Sequence, residues 1–250
     1  MESKSQFPAR ELGPRVAPQA EAEARSGTRA SLLAFASVLL PLLLFGALAE
    51  DVWKRDTFGW DSPALQWLHA HSSPFLDALM LQATLVGGAI GMLPLAALGG
   101  LGLWLGGRQS DALFEAVGVG GACVIDLIAK AVFERARPSL WPSLSPEHDY
   151  GFPSGHSVLS SAVVAVLLLL LWRSRAERPL QVLATAAGVA FVLLVGASRL
   201  YLGVHYPSDV LAGWAASLAW VGGAYHLLLA PGQGVPPALK RARQSLRREA

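Results

Sequence analysis

Six stretches of this chain are apolar for about as long as a bilayer is thick. They cover residues 30–49, roughly 88–107, about 112–133, 154–172, roughly 180–198 and 210–230. A hydrocarbon core of about 30 Å is crossed by about 20 helical residues, and helices satisfy their backbone polar groups within the segment. The expected fold class is therefore all-α, a bundle of six transmembrane helices. Composition agrees: 53% of residues are hydrophobic and 15% charged, a balance that suits a membrane protein better than a soluble core.

The connections add detail. Residues 75–107 are apolar for longer than one span needs, and Gly87-Gly88 is a natural break. The expectation is a short interfacial helix on the outer side, followed by the second span. Asp61-Ser62-Pro63 reads as the start of a short surface helix, and Trp53, Trp60 and Trp67 suit a membrane interface. Residues 1–29 are polar and lack apolar periodicity, so they read as a disordered tail. Residues 30–230 form the membrane domain and residues 231–250 a basic tail. The first apolar run is long enough to span and ends in only a faint cleavage signal, so it is expected to stay in the mature protein.

Charge excludes some partners and sets orientation. A net charge of +2 gives no reason to expect a nucleic-acid partner, and the lone Cys123 allows no intrachain disulfide. Of the 20 lysines and arginines, 14 lie in the two tails and the 108–111 and 173–178 turns. By the positive-inside rule both termini are cytoplasmic, and the loops around residues 50–74, 134–153 and 199–209 face the periplasm or outside. The expected location is the cell (inner) membrane.

Three charged clusters fall at those outward ends, where charge is costly and seldom idle. Lys130 and Arg137 are seven residues apart, so two helical turns would put them on one face, about 10 Å apart. Pro138 then ends regular helix. Asp126, four residues before Lys130, can pair with it, with Glu134 as the competing partner. Ser154, Gly155 and His156 open the fourth span. A helix start there aims free N–H groups and a positive dipole end at any anion above it. It reads either as an anion cradle beside an acid or as a serine nucleophile beside its base. Ser198-Arg199, His205 and Asp209 form the last cluster, in which a carboxylate four residues after an imidazole can accept its N–H and fix its tautomer. Each cluster alone has a plain reading: snorkelling cations, a capped helix, a polar loop histidine. Together they gather three cations, two histidines, a carboxylate and a helix N-terminus on one side of the membrane, a pattern that suits a phosphate dianion.

Lys130, six residues, Arg137-Pro138; Pro153-Ser154-Gly155-His156; and Ser198-Arg199, five residues, His205, three residues, Asp209: this ordered triple resembles the signature of the type-2 phosphatidic acid phosphatases, or lipid phosphate phosphatases. The resemblance implies that His205 attacks phosphorus to form a phosphohistidine, with Asp209 orienting it. It implies that His156 protonates the leaving oxygen and then activates water. Lys130, Arg137, Arg199, Ser154 and the Gly155 N–H would hold the phosphoryl oxygens, with no metal and no cofactor. Arg135 and His148 fall outside the signature.

The expected substrate is a lipid phosphomonoester or diphosphate taken from the bilayer. Undecaprenyl diphosphate is preferred to phosphatidate or phosphatidylglycerol phosphate, because an outward site suits carrier-lipid recycling. Three other classes compete. A vanadate-dependent haloperoxidase has a similar anion pocket, but those resemble soluble proteins and this chain is mostly membrane span. A metal hydrolase could use His156, His205 and Asp209 as ligands, but three nearby cations repel a divalent ion. A non-catalytic phosphate-lipid binder or transporter would bind without turnover. Nothing in these features specifies an oligomeric state.

Overall fold

A computed structural model describes residues 16–56 and 58–229, with side chains from residue 35 onward. Among the described residues all regular structure is helical. The helices are α1 (Val16–Trp53), α2 (Asp61–Ala70), α3 (Pro74–Gly87), α4 (Ala89–Leu105), α5 (Gln109–Phe133), α6 (Gly155–Arg173), α7 (Arg178–Tyr201) and α8 (Pro207–Leu228). The chain divides into two units, Met1–Ala36 and Ser37–Ala250. The described part of the first is the opening of α1. The second holds the rest of α1 and every other helix.

Five helical stretches are long and apolar enough to cross a membrane: Phe35–Trp53, Pro74–Leu105, Gln109–Phe133, Gly155–Arg173 and Arg178–Tyr201. The sixth stretch expected from sequence corresponds to α8, which is not among them. Its sequence is diluted by Gly, Ser and Asp209, and much of its surface is buried against α5 and α6. A helix enclosed by other helices meets little lipid and tolerates that dilution.

The break expected at Gly87-Gly88 is present, with α3 ending at Gly87 and α4 beginning at Ala89. The surface helix expected from Asp61 is α2. Trp53, Trp60 and Trp67 are exposed. α1 begins at Val16, ahead of the residue-30 boundary read from sequence, because the Ala, Gln, Glu and Arg residues there are good helix formers. The tail read over residues 1–29 thus lies partly on this helix and partly outside the described residues. The basic stretch 231–250 lies wholly outside them.

α6 is the central element, packed against α5, α7 and α8. Val158, Ala162, Val163 and Val166 meet Phe114 and Ala122 of α5 and Val221 of α8 in the main core. In a bilayer such contacts rest on close packing and buried hydrogen bonds, since lipid tails are as apolar as the core. Ser161 Oγ and Ser217 Oγ join α6 to α8 at 2.5 Å, a bond of a class worth roughly 0.6 kcal/mol. A second cluster, with Leu48, Val52 and Ala212, encloses Phe152. The Phe152 ring lies 5.0 Å from Phe133 and 5.9 Å from Phe45, which anchors the loop just before α6.

Candidate active site

The antiparallel run of α5, α6, α7 and α8 brings the end of α5, the start of α6, the end of α7 and the start of α8 together. The three charged clusters ride on these ends. Ser154 N donates to Asp209 O at 3.0 Å, a backbone bond that ties the start of α6 to the start of α8.

Lys130 sits in the last turn of α5 with Nζ 3.5 Å from Asp126 Oδ2, the pairing its spacing implied, and 2.5 Å from Asp149 Oδ2. Arg137 is not on the same helix face, contrary to the two-turn expectation. α5 stops at Phe133, and Glu134 turns left-handed at φ 45°. Pro138 also disfavours helical backbone at Arg137. The guanidinium reaches the same site from the loop. Arg137 Nε donates to Asp149 O at 2.8 Å, Nη1 to Val204 O at 2.9 Å, and Nη2 pairs with Glu147 Oε2 at 2.7 Å and with Asp149 Oδ1. Arg199, at the end of α7, is fully buried. It donates to Thr84 Oγ1 and Glu147 Oε1, while its buried Nε has no partner among the described residues.

His205 is buried between α7 and α8. Its Nδ1 lies 2.8 Å from Gly151 O and 3.5 Å from Asp209 Oδ2. A carbonyl can only accept, so Nδ1 carries the proton and Nε2 keeps its lone pair, toward which Arg137 Nη1 donates at 2.7 Å. The tautomer is set chiefly by Gly151 rather than by Asp209, as the four-residue spacing had suggested. Burial, then the Arg137 and Arg199 charges, hold the imidazole well below its ordinary pKa, so it stays neutral. Asp149 behaves in the opposite way. Burial works to raise its carboxyl, but Lys130 and Arg137 prevail and hold it at about 2.

Ser154 occupies the N-cap position of α6 with extended backbone, and its carbonyl accepts Val158 N–H at 2.9 Å. Its hydroxyl makes no capping bond and is met by Ser157 Oγ at 3.1 Å. Gly155 follows where a side chain would crowd the acid and the cation: a Cβ would lie 3.0 Å from Asp126 Oδ2 and 3.2 Å from Lys130 Nζ. His156 projects into the site with Nδ1 3.7 Å from Glu147 Oε1. Its ring is accommodated by Gly88, where a Cβ would come within 2.6 Å of Nε2. The helix break thus makes space for a candidate proton donor.

All eight site residues read from sequence therefore occupy one region. Sequence reading missed two loop carboxylates. Glu147 lies at the centre, with Oε1 on Arg199 and facing His156, and Oε2 on Arg137 and 4.0 Å from His205 Nε2. Asp149 bridges Lys130 and Arg137. The available signal was two acids in a short loop between cation-bearing segments. Arg135, which lay outside the signature, also joins the site from behind. Among the described residues no group of three or more His, Cys, Asp or Glu side chains is arranged to hold a metal ion.

A cavity of about 520 Å³ opens beside Lys130 and His156, with Leu93, Cys123, Leu127 and Leu159 in its wall. It shares Leu93 with a second, mostly apolar cleft between α4 and α5.

Comparison with known proteins gives consistent relatives. The model of the PAP2 superfamily matches residues 112–232. Phosphatidylglycerophosphatase B of Bacillus subtilis (strain 168) is 32% identical over 176 residues, covering 68% of this chain and 80% of that protein. Undecaprenyl-diphosphatase of Sulfolobus acidocaldarius is 33% identical over 105 residues, covering 40% of this chain and 46% of that protein. Among solved structures, a transmembrane PAP2-type phosphatidylglycerolphosphate phosphatase from Bacillus subtilis superposes with a TM-score of 0.67 at 24% identity. The match covers 79% of this chain and all of that one, 100%.

Proposed function

The chain belongs to the PAP2 superfamily, and from that membership we propose that it is a metal-independent membrane phosphatase that hydrolyses a lipid phosphomonoester or diphosphate through a phosphohistidine. The observation that carries this reading is the position of Glu147. Its carboxylate is held by Arg137 and Arg199 with both imidazoles within 4.0 Å, so this pocket already accommodates an oxyanion. A phosphoryl group entering there displaces Glu147 and inherits its donors.

The chemistry follows from that exchange. His205 Nε2 attacks phosphorus while the P–O bond to the lipid breaks, and protonated His156 supplies the proton the leaving oxygen needs. Neutral His156 then takes a proton from water, which attacks the phosphohistidine and releases phosphate and free His205. Lys130, Arg137, Arg199, Ser154 and the Gly155 N–H stabilise charge on the equatorial oxygens. Asp209 supports His205 from the Nδ1 side.

The lipid reaches this site through the cleft between α4 and α5, tail in the membrane and head group at Lys130. In this reading α8 is the sixth span, α3 the short interfacial helix, both termini are cytoplasmic and the site faces outward. A reporter fused at residue 145 that scored cytoplasmic would reverse that orientation. Two substrates stand foremost. An outward site suits undecaprenyl diphosphate, whereas the Bacillus subtilis relative matched over 80% of its length is named for phosphatidylglycerophosphate. Phosphate release by purified protein over a panel of both lipids and phosphatidate, with and without EDTA, tests class and metal independence together. Loss of activity in His205→Asn is expected; near-normal turnover there would refute the nucleophile assignment.

A further inference from the structure

Behind His205, on the side away from the phosphate pocket, lies a second charged group. Arg135 Nη1 donates to Asp209 Oδ1 and, at 2.7 Å, to Ser208 Oγ; Nη2 donates to Asp61 Oδ2 at 3.0 Å. Asp61, the first residue of α2, also accepts Ser208 N–H at 3.0 Å and Ser208 Oγ–H at 2.5 Å. The guanidinium lies over two aromatic rings, 4.7 Å from the centre of Tyr206 and 5.5 Å from that of Phe58. Its hydrogen-bonding partners Asp61, Ser208 and Asp209 are all buried.

This arrangement divides the Asp209 carboxylate. Oδ1 is taken by Arg135 and Oδ2 accepts Tyr206 N–H at 2.8 Å, which leaves His205 Nδ1 at 3.5 Å. Asp209 is thereby held at a fixed stand-off from the imidazole, and α2 is fastened to the first turn of α8. We infer that Arg135 and Asp61 are positioning residues for His205, acting through Asp209 and Ser208 to keep Nε2 aimed into the phosphate pocket. The inference rests on the phosphohistidine reading above.

Without Arg135, two buried carboxylates face one another with no cation between them. Either Asp209 takes up a proton or it swings onto His205, and in both cases the form of the site competent at low pH is lost. The charges that set this balance come from every side: Asp61 on α2, Lys130 on α5, Arg135, Arg137 and Glu147 in the loop, His156 on α6, Arg199 on α7, and Tyr206 beside Asp209.

The test compares wild type, Arg135→Gln, Arg135→Lys and Asp61→Asn in detergent, reading kcat, KM, the pH profile and vanadate inhibition. Misaiming a reacting group costs about 100-fold. Arg135→Gln is expected to lower kcat by about that factor with KM and vanadate inhibition little changed, and to move the acid limb of the kcat profile upward. Arg135→Lys should recover part of the loss, and Asp61→Asn should show a smaller effect of the same kind. An unshifted profile in variants with reduced activity, or a loss confined to KM and vanadate inhibition, overturns the inference. Should Arg135→Gln fail to accumulate, Asp61→Asn is judged by the same readouts. A wild type that releases no phosphate from any lipid fails the functional reading instead.

Discussion

Two groups of arginine and carboxylate meet at His205, one on each side of the ring. In front, Arg137, Arg199 and Lys130 are paired by Glu147 and Asp149, whose side chains are 21% and 52% exposed and sit on a loop. Behind, Arg135 is paired by Asp61 and Asp209, which are 4% and 0% exposed and begin two helices. The chemistry is alike and the setting differs. A partly exposed counter-ion on a loop can leave when a phosphate takes its place at the same donors, so that no buried charge is stranded. A buried one cannot leave without stranding a charge, so it holds geometry. The front group is built for exchange and the rear group for permanence.

Breaking the front group should have the largest effect. Arg199→Ala is expected to lower kcat/KM by about 100- to 1,000-fold, the cost of losing a donor to developing charge, and to weaken vanadate inhibition alongside. The rear-group variant Arg135→Gln should leave vanadate inhibition in place, so the two arginines are separated by one inhibitor titration. Next comes Gly88→Ala, which sets a methyl group against His156 Nε2 and should lower kcat by about 100-fold while phosphate still binds. Glu147→Gln sharpens the contrast from the other direction. Removing this carboxylate, which is 21% exposed and competes for the buried Arg199, should tighten vanadate inhibition by more than the roughly fivefold that an exposed ion pair would account for.

The smallest effect concerns pH. A buried neutral His205 resists protonation, so a histidine-selective NMR titration, assigned with His205→Asn, should find it neutral well below 6.5. The unfolded chain takes up that proton near 6.5, so the residue's contribution to stability is present above that pH and falls away below it.

Much of this was legible in the sequence because the physics is local. Span length, the break at Gly88, the surface helix from Asp61 and the clustering of Lys130, His156, Arg199 and His205 at one end all follow from hydropathy, turn residues and charge position. α8 was visible as a helix but not as one lying among others, since its burial depends on neighbours. The partner of His205 Nδ1 was misjudged for a related reason. Four-residue spacing pointed to Asp209, but the nearer acceptor is the Gly151 carbonyl, and any residue could have supplied that atom. Glu147 and Arg135 were missed because their roles depend on which loop faces which helix end, a relation that sequence separation does not encode.

The bond from Ser154 N to Asp209 O gives the two histidines a common reference frame. One imidazole follows Ser154 by two residues, the other precedes Asp209 by four, and the helices that continue from these points are joined again at Ser161 and Ser217. The separation of the two rings is therefore gauged by a helix interface, as the jaw width of a vice is set by its frame.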